Sequence, residues 1–225
     1  MNSKLFFSVG LLLLFVAACK TGTNHNAKPG EGAVTYSVSY PEKGKYGMKA
    51  TLFPGTMNLF FKNEKATFVT SAGMGTVQLV NILDHKNQKF NSLLIDAIRP
   101  NYAYTLSPEE IKDNESNPDF CYEFTDETKT IAGLECKKAI VKNNTDNTSF
   151  EVFYYEKIKF YYWNSPFKEF DFLLMEYTHT INNLTMKLVA TQVDLTTPVD
   201  TSFFEVKGTF NWLDQKKFYN YLNQL

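Results

Sequence analysis

The sequence is poor in the residues that most often carry chemistry. Its 225 residues include three histidines and three cysteines. His25 sits in a polar stretch, His85 in a turn and His179 between two threonines, none with a partner at metal-ligand spacing, and no cysteine pair matches a zinc pattern. There is no nucleophile elbow, and Gly73-Met74-Gly75 is too short, and lacks the strand-to-helix setting, to be a phosphate loop. An excess of one charge is missing too: 23 basic against 24 acidic residues leaves nothing to draw the chain to nucleic acid. The longest apolar run, Leu5 to Ala18, falls short of the roughly 20 residues that a bilayer-spanning helix needs. No catalytic residue, metal site or cofactor is expected, so the chain reads as a protein that is not an enzyme.

What is present begins at the N-terminus. Lys4 precedes the apolar run, and Val16-Ala17-Ala18 leads directly into Cys19. A charged start, a short apolar core and small residues before a cut describe an export signal. The arrangement resembles the lipobox of bacterial lipoproteins, which implies a signal peptide over 1–18 and acylation of Cys19. The plainer alternative is a secretory signal cut after Ala18, with Cys19 incidental. Two or more acyl chains hold a protein to a bilayer where one does so only marginally. Residues 19–31, with two glycines, a proline and almost no apolar side chain, read as a flexible tether that averages about 20 Å and reaches about 40 Å. Lys20 after the cysteine is similar to lipoproteins sorted to the outer membrane. The resemblance therefore implies a cell-envelope protein, an outer-membrane lipoprotein facing the periplasm, whose first partner is the membrane itself.

The remaining residues, 32–225, fit one β-rich domain. Aromatics make up 16% of the chain, with 20 Phe and 13 Tyr, and such residues favour strands. Alternation in Val34 to Tyr40 marks a half-buried strand. Further strands are expected over Thr76 to Asp84, Lys89 to Asp96, Asp119 to Thr125, Glu135 to Lys142, Ser149 to Glu156, Asp171 to Thr178 and Leu184 to Asp194. Turn signals lie between them at Lys62-Asn63-Glu64, His85-Lys86-Asn87, Asn143 to Asn147 and Asn182-Asn183. This serial order predicts an antiparallel meander. The fold class is mainly β, a β-rich α+β chain: a curved antiparallel sheet or incomplete β-barrel with a few short helices. Ser107-Pro108-Glu109-Glu110 is a helix start. A C-terminal helix is expected from Asn211 to Leu225, with Trp212, Tyr219, Leu222 and Leu225 on its apolar stripe.

Several strands carry bulky apolar groups on both faces, as in Phe150 to Tyr155 and Phe172 to Tyr177. Such a sheet must be covered on both sides. Either the interior is packed, or a concave groove lined by Phe172, Leu174, Met175, Tyr177 and Met186 takes an apolar ligand. A dense aromatic group, Tyr161, Tyr162 and Trp163 with Phe167, is either a groove rim or a corner of the core.

The run Thr128-Lys129-Thr130-Ile131-Ala132-Gly133-Leu134-Glu135-Cys136-Lys137-Lys138-Ala139 resembles the hallmark of Gram-negative exported proteins of the GLPGLI type and their uncharacterised lipoprotein cousins, similar to LolA/LolB-like half-barrels. Asn58 to Lys65, Asp84 to Phe90 and Pro198 to Val206 agree in order, although the GLPGLI hexapeptide is absent and Asp171 to Glu176 stands near its place. The resemblance implies a LolA/LolB-like curved sheet around an apolar groove that in LolA and LolB receives acyl chains. It brings no catalytic residues. Read on its own, Gly133 lies between two strand-like runs and suits a tight bend. Lys137 and Lys138 place a charge on each strand face. Cys121 and Cys136 are an even pair in an oxidising compartment, to be joined in a disulfide across a hairpin or left as two buried thiols.

Two functions follow as expectations. The first is a lipid-anchored envelope protein that binds a lipid or acyl chain in its concave sheet. The second is an accessory subunit with a packed interior that docks on another envelope protein.

Overall fold

The structure, a computed structural model, describes residues 28–113, 120–162, 166–181 and 184–222. The signal peptide, Cys19, the tether up to Ala27, Trp163, the Asn182-Asn183 turn and Leu225 lie outside the described residues. The described residues are mainly β, 57% strand and 15% helix, in one large open curved sheet that does not close into a barrel. Its strands are β1 (Lys28–Pro29), β2 (Glu31–Ser39), β3 (Thr56–Lys62), β4 (Lys65–Ala72), β5 (Val77–Asp84), β6 (Lys89–Asp96) and β7 (Tyr102–Leu106). Helix α1 (Pro108–Asp113) leads to β8 (Phe120–Ile131), β9 (Leu134–Asn143), β10 (Thr148–Lys159), β11 (Phe172–Ile181) and β12 (Leu184–Asp194), and the chain ends in β13 (Asn211–Trp212) and α2 (Gln215–Leu222).

The strand order is β13-β7-β6-β5-β4-β3-β2-β12-β11-β10-β9-β8. Two antiparallel meanders, β2 to β7 and β8 to β12, are joined where β2 pairs with β12, Tyr36 opposite Ala190. The expected single meander is thus corrected to two. Short β1 and β13 run parallel to β10 and β7. Curvature follows from chain length. Ten inter-strand steps separate β7 from β8, about 48 Å in a flat sheet. The chain from Leu106 to Phe120, part of it wound into α1, reaches only about 39 Å. The sheet must therefore bend to bring its edges within reach of this connection.

Local signals place the elements. Ser107 and Glu110 form a reciprocal cap at the start of α1, Ser107 N donating to Glu110 Oε2 at 2.8 Å and Glu110 N to Ser107 Oγ at 3.2 Å. The β8–β9 hairpin turns on two residues, Ala132 and Gly133, both at positive φ (47° and 81°), as a primed two-residue turn requires. The strands over Lys89–Asp96 and Leu184–Asp194 have the expected bounds. Pattern does not mark β3, β4 and β7, nor the two short strands β1, in the stretch expected as tether, and β13, in the stretch expected as helix. The C-terminal helix begins later than expected, and Trp212 lies exposed on β13 rather than on the helix stripe.

The concave face carries Val34, Tyr36, Val38, Met57, Leu59, Phe61, Phe90, Leu94 and Tyr104, all buried. On the convex side the two meanders differ. That face of β8–β12 is a lattice of ion pairs: Lys142 with Glu123, Lys138 with Glu151 and Glu127, and Glu176 between Lys129 and Lys187. The convex side of β3–β7 is covered by the chain after β12. Asp194 turns that segment by accepting the amides of Thr196 and Thr197, and Val199 N donates to Glu31 Oε1. Phe203 stacks on Phe60 at 3.9 Å, and Phe210 packs over Ile82, Leu93 and Ala103. The chain then rounds the β7 edge as β13 and lays α2 on the concave side, with Phe218 4.7 Å from Tyr104.

Candidate functional site

The expected groove residues are brought together, but in the core. Phe172, Leu174, Met175 and Tyr177 are buried, and Met186 is half-buried against them. Beyond the β7 edge that α2 covers, the concave face is not an open groove. The described parts of the connection between β10 and β11, residues 160–162 and 166–171, dip into the concavity and place Phe160, Tyr162, Phe167 and Phe170 there. Phe160 meets Phe61 and Phe68 on β3 and β4, Phe167 meets Phe150, Tyr162 and Tyr177, and Phe170 meets Tyr122, Phe124, Tyr154 and Phe172. The aromatic rim is thereby corrected for two of its members. Tyr162 and Phe167 belong to the core because their rings fill the concavity; Tyr161 faces outward and stacks on His85 at 4.6 Å.

The polar groups of this plug are satisfied by tyrosines. Leu174 N donates to Tyr162 Oη at 2.9 Å, and Tyr36 Oη donates to Leu174 O at 2.8 Å. These bonds serve β11 where its pairing with β10 shifts register, and burial raises both phenols well above their ordinary range. Tyr122 Oη donates to Pro166 O at 2.7 Å. His179, half-buried beside Phe167, is pushed down to about 4 by desolvation, so it is neutral near pH 7.

The Cys121–Cys136 disulfide is corrected. In the β8–β9 register Cys136 lies opposite Lys129 and Cys121 opposite Lys142, six residues apart along β9 and so about 20 Å. A bridge needs α-carbons within about 7 Å. Three residues bulged out of β8 between Phe124 and Thr128 do not close that gap. Cys136 is a free, buried thiol that burial pushes up to about 11. Iodoacetamide at pH 8 is therefore expected to leave Cys136 unmodified in the native protein and to alkylate it after denaturation, read as a mass shift on its peptide. The two lysines of the same run meet acids, Lys137 with Glu156 and Lys138 with Glu127 and Glu151.

One polar cleft of about 380 Å³ opens at the end of the sheet where the N-terminal segment enters. Its walls are the β3–β4 turn, the β5–β6 turn and the segment after β12. Lys62, Lys65 and Lys86 face Glu64, Asp84 and Glu205, with Phe204 as its one aromatic wall. Asp84 is partly desolvated, yet the side chain and amide of Asn87 and the Lys65 ammonium at 3.4 Å hold its carboxyl below the usual range. Glu31 is held low by Lys62 and the Val199 amide. Three cations against three anions concentrate neither sign, which suits a neutral polar surface. Sequence reading did not single out this cleft. Its signal was there, because three stretches that carry the family resemblance, Asn58 to Lys65, Asp84 to Phe90 and Pro198 to Val206, converge on it. Among the described residues no group of three or more His, Cys, Asp and Glu side chains is placed to hold a metal ion.

No protein-family profile matches the chain. No curated protein matches it either. Among solved structures it is similar to PNGF-II in two crystal forms. In the C2 form the TM-score is 0.50 at 18% identity, covering 84% of this chain and 32% of PNGF-II. In the P21 form the TM-score is 0.52 at 15% identity, covering 87% and 34%. At that identity the likeness is one of fold, and this chain spans about a third of the length of PNGF-II.

Proposed function

We propose that this chain is a non-catalytic, lipid-anchored module of the cell envelope whose packed body docks on another envelope protein. The observation that carries the reading is the plug: Phe160, Tyr162, Phe167 and Phe170 occupy the concavity that an acyl chain would need. A ligand would have to displace four large aromatic side chains from native-density packing. The lipobox-like start supports attachment at the membrane, and the GLPGLI-type resemblance supports an exported, Gram-negative setting. The charge-balanced cleft offers a polar surface for the neighbour.

Native mass spectrometry of the full chain extracted from membranes tests this reading. The expected mass is that of the polypeptide plus its covalent acyl chains, with no further lipid at fixed ratio. A stoichiometric non-covalent lipid that survives gel filtration would overturn the packed-body reading in favour of the groove.

A further inference from the structure

The strand register sorts the loops of the sheet into two ends. The N-terminal segment enters at one end, where Asn63 N donates to Gly30 O, beside the polar turns at Asn63-Glu64 and His85 to Gln88. At the opposite end lie the polar β9–β10 turn and the β2–β3, β4–β5 and β6–β7 connections, and these last three carry exposed apolar side chains. Met74 is fully exposed, Ile98 is 85% exposed and Leu52 52% exposed. Met74 and Ile98, at the β4–β5 and β6–β7 tips, are held out by rigid turns. Thr76 ties the β4–β5 turn back to Gly73 O through both Oγ1 (2.8 Å) and N (3.2 Å), and Met74 keeps a left-handed φ of 57° between two glycines at positive φ. Asp96 Oδ1 accepts the amides of Ile98 and Arg99 at 2.9 and 3.0 Å. Ala97 N donates to Thr76 O at 2.9 Å, which locks the two tips side by side.

We propose that Met74 and Ile98, with Leu52 on the adjoining loop, dip into the headgroup–acyl boundary of the bilayer that anchors the chain. Separate aliphatic tips with no concave wall around them fit hydrocarbon, which accepts each without a matching pocket. Two of these loops carry cations suited to lipid phosphates: Arg99, beside Ile98 and 3.9 Å from Asp96, and Lys43 and Lys45 on the β2–β3 loop, the latter paired with Glu42. The bilayer is within reach. The nine steps from Cys19 to Lys28, where the chain joins β10, span up to about 32 Å, more than the roughly 27 Å length of an eight-residue strand such as β4. The choice of bilayer rests on the anchored reading above; the apolar tips do not.

The test uses the full chain in vesicles of phosphatidylethanolamine and phosphatidylglycerol, with an NBD fluorophore on Ile98→Cys and, separately, on Lys86→Cys at the other end of the sheet. The unsubstituted chain labelled in parallel sets the background. Flotation reads the anchor, and fluorescence reads the tips. At position 98 the emission is expected to shift to the blue, brighten roughly twofold and be quenched by brominated lipid, while position 86 stays water-like. Adding Met74→Asp should abolish most of the position-98 signal with flotation unchanged. A water-like signal at 98 in floated chain overturns the proposal and leaves the tips to a protein partner. Loss of flotation with a blue-shifted position 98 in added vesicles instead overturns the anchor and keeps the tips.

Discussion

Phe170→Ala is expected to lower the stability of the folded chain by about 4 kcal/mol, most of what a domain of this kind has to lose. Phe170 is 1% exposed, and four rings surround it: Tyr122 at 5.2 Å, Tyr154 at 5.3 Å, Phe172 at 5.7 Å and Phe124 at 5.9 Å. These come from β8, β10 and β11, so the side chain joins strands that do not all neighbour one another in the sheet. Truncation removes both the transfer free energy of the ring and the contacts of its neighbours, which backbone hydrogen bonding holds in place around the vacancy. Tyr161→Ala, nine residues earlier in the same connection, should cost less than about 1 kcal/mol, because its ring lies on the surface against His85. Urea unfolding of the two variants compares them directly. Equal small losses would mean that residues 160–171 do not plug the concavity, and the groove would then be open to a ligand.

That connection marks the boundary of what the sequence discloses. Strand β6, with Leu93 and Leu94 both buried, is bounded by the turn residues before it; strand β12 could be read to the residue, since one face meets the core and alternation survives. Strand β3 could not, because Phe60 and Phe61 are adjacent and both large. Phe61 faces the core, while Phe60 is covered from outside by Phe203, a residue 143 positions later. Such long-range cover erases the period-two signal that a solvated face would leave. The aromatic density of residues 160–171 was plain, but its place was not, because a loop that enters a concavity follows no local period. The cysteine pair failed for a related reason: the turn at Ala132-Gly133 fixes a register that carries Cys121 and Cys136 past each other, and the bulge in β8 shortens the offset without closing it. The gathering of exposed apolar tips on neighbouring loops at one end of β2 to β7 follows only once every strand has a direction.

The C-terminal helix supplies the second large effect, and it is expected to be of a different kind. Phe218 is the one buried side chain of α2, 1% exposed and 4.7 Å from Tyr104, while Tyr219 meets the Tyr104 hydroxyl at 3.1 Å and Tyr221 packs at 4.4 Å on Tyr102. An eight-residue helix is too short to hold itself together in water, so docking is what forms it. Asp214 starts it by accepting the Lys217 amide at 2.8 Å, a cap that positions the first turn without anchoring it to the sheet. Phe218→Ala should therefore cost about 3 kcal/mol, and the loss should fall first on α2 and the β7 edge, leaving the plug intact. Hydrogen exchange distinguishes the cases. Amides of α2 and β13 are expected to exchange at least tenfold faster than in the wild type, while those of β10 and β11 keep their protection. A uniform rise across the sheet would mean instead that α2 and the plug form one cooperative unit, with the segment that wraps β3 to β7 transmitting the loss from one side of the sheet to the other.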